Sequence, residues 1–211
     1  MSSGLERVVF EFGHVLYEPG DATRHVYFPN DSLVSLLVVV ERSAGLEVGM
    51  VGKEGMVGIP LALGNPSSPV RALVQGGGSA MRMSGARFAA ELKKDGGLKQ
   101  ELGRCMYISM MTAMQIAACN KSHVLAQRLA RWLLMMRDRV GRDEFRLTQE
   151  FLALMLGVRR AGVNGAASAL RRRRLIRYSR GTIRILDAKR LRATSCRCYQ
   201  VIRKLEKKAA R

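Results

Sequence analysis

Along residues 8–84 the apolar positions fall into short runs, rich in valine and aromatic residues and separated by turn residues. The runs occupy 8–12, 14–17, 25–29, 33–40, 46–51, 70–74 and 80–83. Pro19-Gly20-Asp21, Asn30-Asp31, Ser43-Ala44-Gly45 and Gly76-Gly77-Gly78 punctuate them with residues that favour turn backbone. Many short strands at this spacing predict a compact antiparallel barrel or roll. Residues 55–64 break the rhythm and predict a short helix; 65–69 read as a polar turn.

From Ser84 the period lengthens to that of a helix. Ser84 is placed to cap a helix reaching about Lys94, and Gly96-Gly97 to end it. Residues 98–118 are rich in Met and Ala, and their apolar stripe is wide enough to be covered on more than one side. The stripe fits a core helix, or a seam between two copies of the chain. On the second reading Leu102, Met106, Met110, Ala113 and Ala117 form a dimer helix. A further helix over 122–140 carries Leu125, Leu129, Trp132, Leu133 and Met136 on one face, and Gly141 closes it. The pattern divides the chain into a β-roll (1–97), dimerisation and linker helices (98–140) and a C-terminal domain (141–211).

Residues 147–185 have the layout of a helix-turn-helix followed by a hairpin. Leu152, Leu156 and Val158 supply core positions, and Ala153 the small residue where two helices touch. Gly157 suits the turn, where a positive φ costs glycine little. Val163 and Ala166 are the inward residues of the second helix, and Thr148 with Glu150 suits the start of the first. The second helix opens with Arg159 and Arg160, and Asn164 lies one turn beyond Arg160. Arginine grips guanine O6 and N7, and asparagine the corresponding edge of adenine. Arg160 and Asn164 are therefore expected to read bases, Arg159 to share base and phosphate, and Ser168, Arg171 and Arg180 to complete the DNA face. Gly162 and Gly165 weaken the helix by up to about 1 kcal/mol each; they suggest close approach to DNA, or a helix that firms up on binding. Arg177 to Ile185 reads as a wing turning at Ser179-Arg180-Gly181-Thr182, and 187–211 as one basic helix.

Charge sharpens this picture. The 211 residues carry a net +19, and residues 159–211 alone hold 18 Lys/Arg against 2 Asp/Glu. Positive charge concentrated at one end points to a polyanion, foremost double-stranded DNA. No run of 18 apolar residues and no signal-peptide pattern occurs, so a cytoplasmic protein with no membrane partner is expected. Cys196-x-Cys198 has a poor metal spacing and no histidine beside it in sequence, so Cys105, Cys119, Cys196 and Cys198 read as free thiols with no metal site. The sequence shows no nucleophile–base pair and no phosphate loop, and an enzyme is not expected.

The order of a roll, a long helix, a linker helix and a winged helix-turn-helix resembles the Crp/Fnr family of bacterial transcription regulators. The likeness is strongest in the helix-turn-helix and in the run His25-Val26-Tyr27-Phe28-Pro29. It implies an α+β chain with a cyclic-nucleotide-binding-like roll. It implies a homodimer on a palindromic operator, contact with RNA polymerase, and a small-molecule effector in the roll. The effector segments correspond to Gly55, Met56 and Val57 and to Val70, Arg71 and Ala72. Met56 stands where cyclic-AMP-binding relatives have a ribose-holding glutamate, and Val70 where they have a phosphate-holding arginine. Residues 1–104 hold no cysteine for an iron–sulfur cluster, and His14 and His25 read as structural rather than haem ligands. The cofactor is therefore left open, with a metabolite sensor or an effector-independent DNA-binding protein as alternatives.

Overall fold

The computed structural model describes residues 4–39 and 45–209. Val40, Ser43, Ala44, Ala210 and Arg211, which fall in expected elements, lie outside the described residues. The strands are β1 (Glu6–Phe10), β2 (Val15–Tyr17), β3 (His25–Pro29), β4 (Leu33–Val38) and β5 (Leu46–Val51). After the short helix α1 (Ile59–Ala62) come β6 (Arg71–Gly76) and β7 (Gly78–Ser84). They form two antiparallel sheets, ordered β1-β7-β3 and β2-β6-β4-β5. The sheets close over Phe10, Tyr17, Tyr27, Val34, Val51, Val57, Ala72, Val74 and Ala80, so the roll is filled by its own side chains. Burial of this apolar surface, worth roughly 25 cal/mol per Å², holds the sheets face to face.

Helix α2 (Gly85–Lys94) follows, and Ser84 stands at its N-cap without the expected side-chain bond. Gly96-Gly97 do not stop it. They open α3 (Gly96–Ser122), because Asp95 Oδ1 accepts from Gly97 N at 2.8 Å and Leu98 N at 3.2 Å. Two orphan amides satisfied by one carboxylate make a strong helix start.

Helix α3 has two differing faces. Leu102 is buried with Val26, Met56, Met83 and Phe88, and Met106 packs beside it. Leu102 is thus core of its own chain and not available for the expected seam, since the roll and α2 cover that face. The opposite face exposes Tyr107, Met110 and Met114, each at least half exposed, and beyond them Ala117. Ala113 lies between, half-buried.

Helix α4 (Leu125–Val140) is deeply set, with Arg128 to Met136 all buried. It packs against α6 (Arg160–Arg172) and α7 (Ala188–Thr194), and Arg128 donates to the carbonyl of Leu156 at the end of α5 (Gln149–Leu156). These helices share one core with Leu33, Leu37, Met50 and Leu73 of the roll. Trp132 Nε1 donates to the buried carboxylate of Glu47 at 2.9 Å, and Ser35 Oγ donates to it at 2.7 Å. Helix α4 therefore joins roll and C-terminal helices by packing and by a buried polar network.

Strand β8 (Glu144–Arg146), not expected, pairs with β10 (Thr182–Ile185), which also pairs with β9 (Ile176–Ser179). The segment expected as one terminal helix is two, α7 and α8 (Cys198–Ala209). Ser195 takes extended backbone at the C-cap of α7. Helix α8 then turns back onto α3 and α4, where Tyr199 donates to Asp138 at 2.8 Å and Arg139 pairs with Glu206 at 2.5 Å. Among the described residues no helix is long and apolar enough to cross a membrane.

Candidate nucleic-acid interface

Helices α5 and α6 are built as the sequence predicts. Thr148 Oγ1 accepts from Phe151 N at 3.1 Å and caps α5. Gly157 ends it at φ 60° and ψ 45°, the left-handed conformation that glycine adopts without a Cβ clash. Leu152, Met155 and Leu156 of α5 meet Val163, Ala166, Ala167 and Leu170 of α6 in the core, with Ala153 and Val158 packed against them. Arg159 is the exposed N-cap of α6, and the helix itself begins at Arg160.

The outward face of α6 and the hairpin together line a cleft of about 340 Å³. Arg160, Asn164, Ser168 and Arg171 come from α6, one turn apart, and Arg180 comes from the hairpin tip. The tip is a two-residue turn with Arg180 at φ 47° and Gly181 at φ 73°. Positive φ at both central positions gives the turn whose twist matches a hairpin. Five of the six residues expected to face DNA thus share one basic concavity. Arg159 is exposed at its N-terminal margin and does not line it.

The sequence reading missed Gln149 as a site residue. Arg160 Nε donates to Gln149 Oε1 at 3.3 Å, and Gln149 Nε2 donates to Asn164 Oδ1 at 3.4 Å. One amide at the start of α5 thereby aligns the two base-reading candidates of α6. Its signal was its place, a polar residue at the first position of the helix that abuts the recognition helix. Tyr178 lines the same cleft and donates to Leu147 O at 3.0 Å. Burial pushes its phenol up, while the nearby Arg160 charge pulls it down. Gly162 has a packing reason: a Cβ there would come within 3.1 Å of Leu125 Cδ2, so α6 approaches α4 closely at this point. A Cβ at Gly165 would meet open space.

The run Arg171 to Arg174 is exposed at the far end of α6. The helix closes with Arg174 N donating to Arg171 O at 2.8 Å and Leu175 N to Leu170 O at 3.1 Å. Arg174 takes φ 54°, a left-handed position usually given to glycine.

The six expected effector residues are not gathered in one cavity. A cavity of about 430 Å³ lies between β5 and α3, bordered by Met50, Val51, Gly55, Met56, Cys105, Ile108, Ala113 and Arg139. Gly55 and Met56 reach it, but Val57, Val70, Arg71 and Ala72 do not line it. Val57 and Ala72 are buried inside the roll and Val70 packs against that core. Arg71 turns to Glu18, with Nε 2.7 Å from the carboxylate. The register that places Ala72 inward places Arg71 on the other side of its strand.

At the cavity rim, Arg139 is held by Glu54 at 2.6 Å and by Glu206 at 2.5 Å. Burial works against its charge, yet the two carboxylates outweigh it and hold the guanidinium above its ordinary value. One side chain of α4 so connects the loop after β5 to α8. Below, burial raises the Glu47 carboxyl to about 7, against the opposing bonds from Ser35 and Trp132.

Residues 127–194 match the Crp-like helix-turn-helix domain. The match starts within α4, the helix that packs on α6 and α7. No curated protein matches the sequence. Among solved structures, FixK2 from Bradyrhizobium japonicum superposes at a TM-score of 0.76 with 15% identity, over 91% of this chain and 98% of that one. TTHA1359, a transcriptional regulator of the CRP/FNR family from Thermus thermophilus, gives 0.71 and 23% identity over 90% and 98%. CLP, the c-di-GMP-responsive global regulator from Xanthomonas campestris, gives 0.68 and 16% identity over 88% and 95%. At these identities the likeness shows the fold, which is that of the Crp/Fnr regulators from the roll through the wing.

Proposed function

On the premise that this chain has the Crp/Fnr fold and carries a Crp-like helix-turn-helix domain, we propose that it is a homodimeric, sequence-specific DNA-binding transcription regulator. The observation that carries the reading is the basic cleft in which Arg160, Asn164, Ser168, Arg171 and Arg180 converge, with Gln149 aligning the first two. The N-terminal end of α6 enters the major groove, where Arg160 and Asn164 meet base edges. Arg159, Ser168, Arg171 and Arg180 hold phosphates and fix the register. The exposed stripe Tyr107-Met110-Met114-Ala117 of α3 supports pairing with a second copy, which sets two recognition helices about 34 Å apart on a palindromic operator. The cavity between β5 and α3 supports a small apolar effector better than a cyclic nucleotide. Its position lets an occupant shift α3, and the family resemblance makes RNA polymerase the partner that reads the outcome.

Selection of bound sequences from random DNA tests this reading, and a palindromic consensus is the expected result. Arg160→Ala should cost about 1–3 kcal/mol on that consensus and relax the choice of base at one position of each half-site. Equal weakening on all sequences would remove Arg160 from base reading. Met110→Glu should give monomers by light scattering, and an unchanged mass would remove the α3 seam.

A further inference from the structure

Four metal-binding side chains meet where the tail of the chain returns to α3. Cys119 and His123 lie one turn apart at the C-terminal end of α3, and Cys196 and Cys198 flank a single residue between α7 and α8. Their sulfur and ring-nitrogen atoms all lie within 4.8 Å of one another. Cys119 Sγ is 3.4 Å from Cys196 Sγ, and Cys198 Sγ is 3.7 Å from His123 Nδ1. Zinc at about 2.3 Å from sulfur and about 2.0 Å from nitrogen, in tetrahedral geometry, sets such atoms about 3.5–3.8 Å apart. The three cysteines are buried and His123 half-buried. We propose that Cys119, His123, Cys196 and Cys198 form a structural Zn(II) site that fastens the tail of the DNA-binding domain to the end of α3.

Three further observations favour a metal over a pocket of idle thiols. Arg131 is 3% exposed, and its Nε finds no hydrogen-bond partner. Its charge acts on both Cys119 and Cys196 and reaches the Glu47 carboxylate, with which it makes no direct ion pair. Zinc with three thiolates and one imidazole carries a single negative charge, which such a buried cation compensates. Gln115 Nε2 points at Cys198 Sγ from 3.1 Å, the kind of outer donor that steadies a metal-bound thiolate. A disulfide between Cys119 and Cys196 would need its sulfurs at about 2.05 Å and would leave Cys198 and His123 without a role. Three sulfurs and one nitrogen, with no open position shown, select zinc in a closed structural site. In the sequence Cys196-x-Cys198 stands alone and reads as free thiols, because Cys119 and His123, which complete the cluster, lie 77 and 75 residues upstream of their nearest partners.

The full-length protein, purified under reducing conditions with zinc supplied, should hold one Zn(II) per chain by elemental analysis. Replacement by Co(II) should give the absorption of a tetrahedral thiolate complex. Cys198→Ser and His123→Ala should abolish stoichiometric metal. Gln115→Ala leaves all four ligands in place and should weaken zinc about tenfold in competition with a chelator, which keeps the test decisive if a ligand variant fails to fold. Absence of stoichiometric metal would overturn the proposal. So would ligand variants that retain it, a cobalt spectrum without thiolate character, unchanged affinity in Gln115→Ala, or a quantitative Cys119–Cys196 disulfide in the reduced protein.

Discussion

The two concavities of this molecule are built in opposite ways. The basic cleft draws all its residues from 148–181 and is held by local bonds, a cap at Thr148 and a hairpin turn at Arg180-Gly181. The cavity under α3 draws on residues from Leu36 to Glu206, and its rim is closed by charges that meet only in the finished fold. The first is set by rules local to one short stretch of chain. The second sits on the joint between roll, long helix and tail, where a change of occupancy or charge would be felt by all three.

Arg139 is the sharpest place to break that contrast. It is the buried centre of the joint, with Glu54 and Glu206 as partners. Arg139→Ala leaves the half-buried Glu206 carboxylate without its cation, and loss of one member of a buried pair costs about 3–5 kcal/mol. Chemical denaturation should show a fall of that order. The DNA-binding domain, whose own core does not include Arg139, should retain the secondary structure of its helices. A loss under about 1 kcal/mol, the range of exposed ion pairs, would show that the joint is held by packing alone.

Glu47 gives the next largest effect, and it depends on pH. Its carboxyl is raised from the usual carboxylate value to about 7 in the folded protein. A raised pKa means the folded state prefers the protonated form. Its contribution is fully present below the unfolded pKa and is lost as pH rises through about 7. At about 1.4 kcal/mol per pKa unit, roughly 2–3 kcal/mol disappears between about pH 5 and pH 8. Glu47→Gln keeps an acceptor for Trp132 and replaces the carboxylate oxygen that accepts from Ser35 by an amide donor to the Ser35 hydroxyl, while removing the charge. It should flatten the stability profile and exceed the wild type at the alkaline end; parallel profiles would show that Glu47 is not the titrating group.

The same contrast explains what was legible in the sequence. The helix-turn-helix could be read residue by residue because its rules are local: a cap, a turn glycine and apolar positions at helical spacing. The roll was legible as strands but not as a pocket, since the inward register of β6 buries Ala72 and sends Arg71 to Glu18. Leu102 shows the limit of periodicity on α3. Both its faces are apolar, and spacing cannot say which one the roll covers. Strand β8 escaped notice because Phe145 is its single apolar residue, between Glu144 and Arg146. The break between α7 and α8 was hidden because its cause is distant: Cys196, Cys198 and Tyr199 are seated on α3 and α4. Gly96-Gly97 misled for a different reason, as the neighbouring Asp95 turns a stop signal into a start.

The smallest effect separates charge from conformation within the helix-turn-helix itself. Arg174 closes α6 at φ 54°, where an L side chain is strained and glycine is not. Replacing it by glycine should stabilise the protein by up to about 1 kcal/mol, because the strain is larger than glycine's extra freedom in the unfolded chain. For a chain of this size that is a rise of roughly 2–4 °C in Tm. The same change removes one positive charge from the exposed run at the end of the helix. DNA affinity should then fall by a similar amount on every sequence, with the salt dependence shallower by about one counterion. A variant that is both more stable and a weaker, equally selective binder would show that arginine holds this position for its charge against its backbone preference. A Tm that does not rise would show that the helix end bears no strain there, and that the left-handed turn is set by Leu175 entering the core.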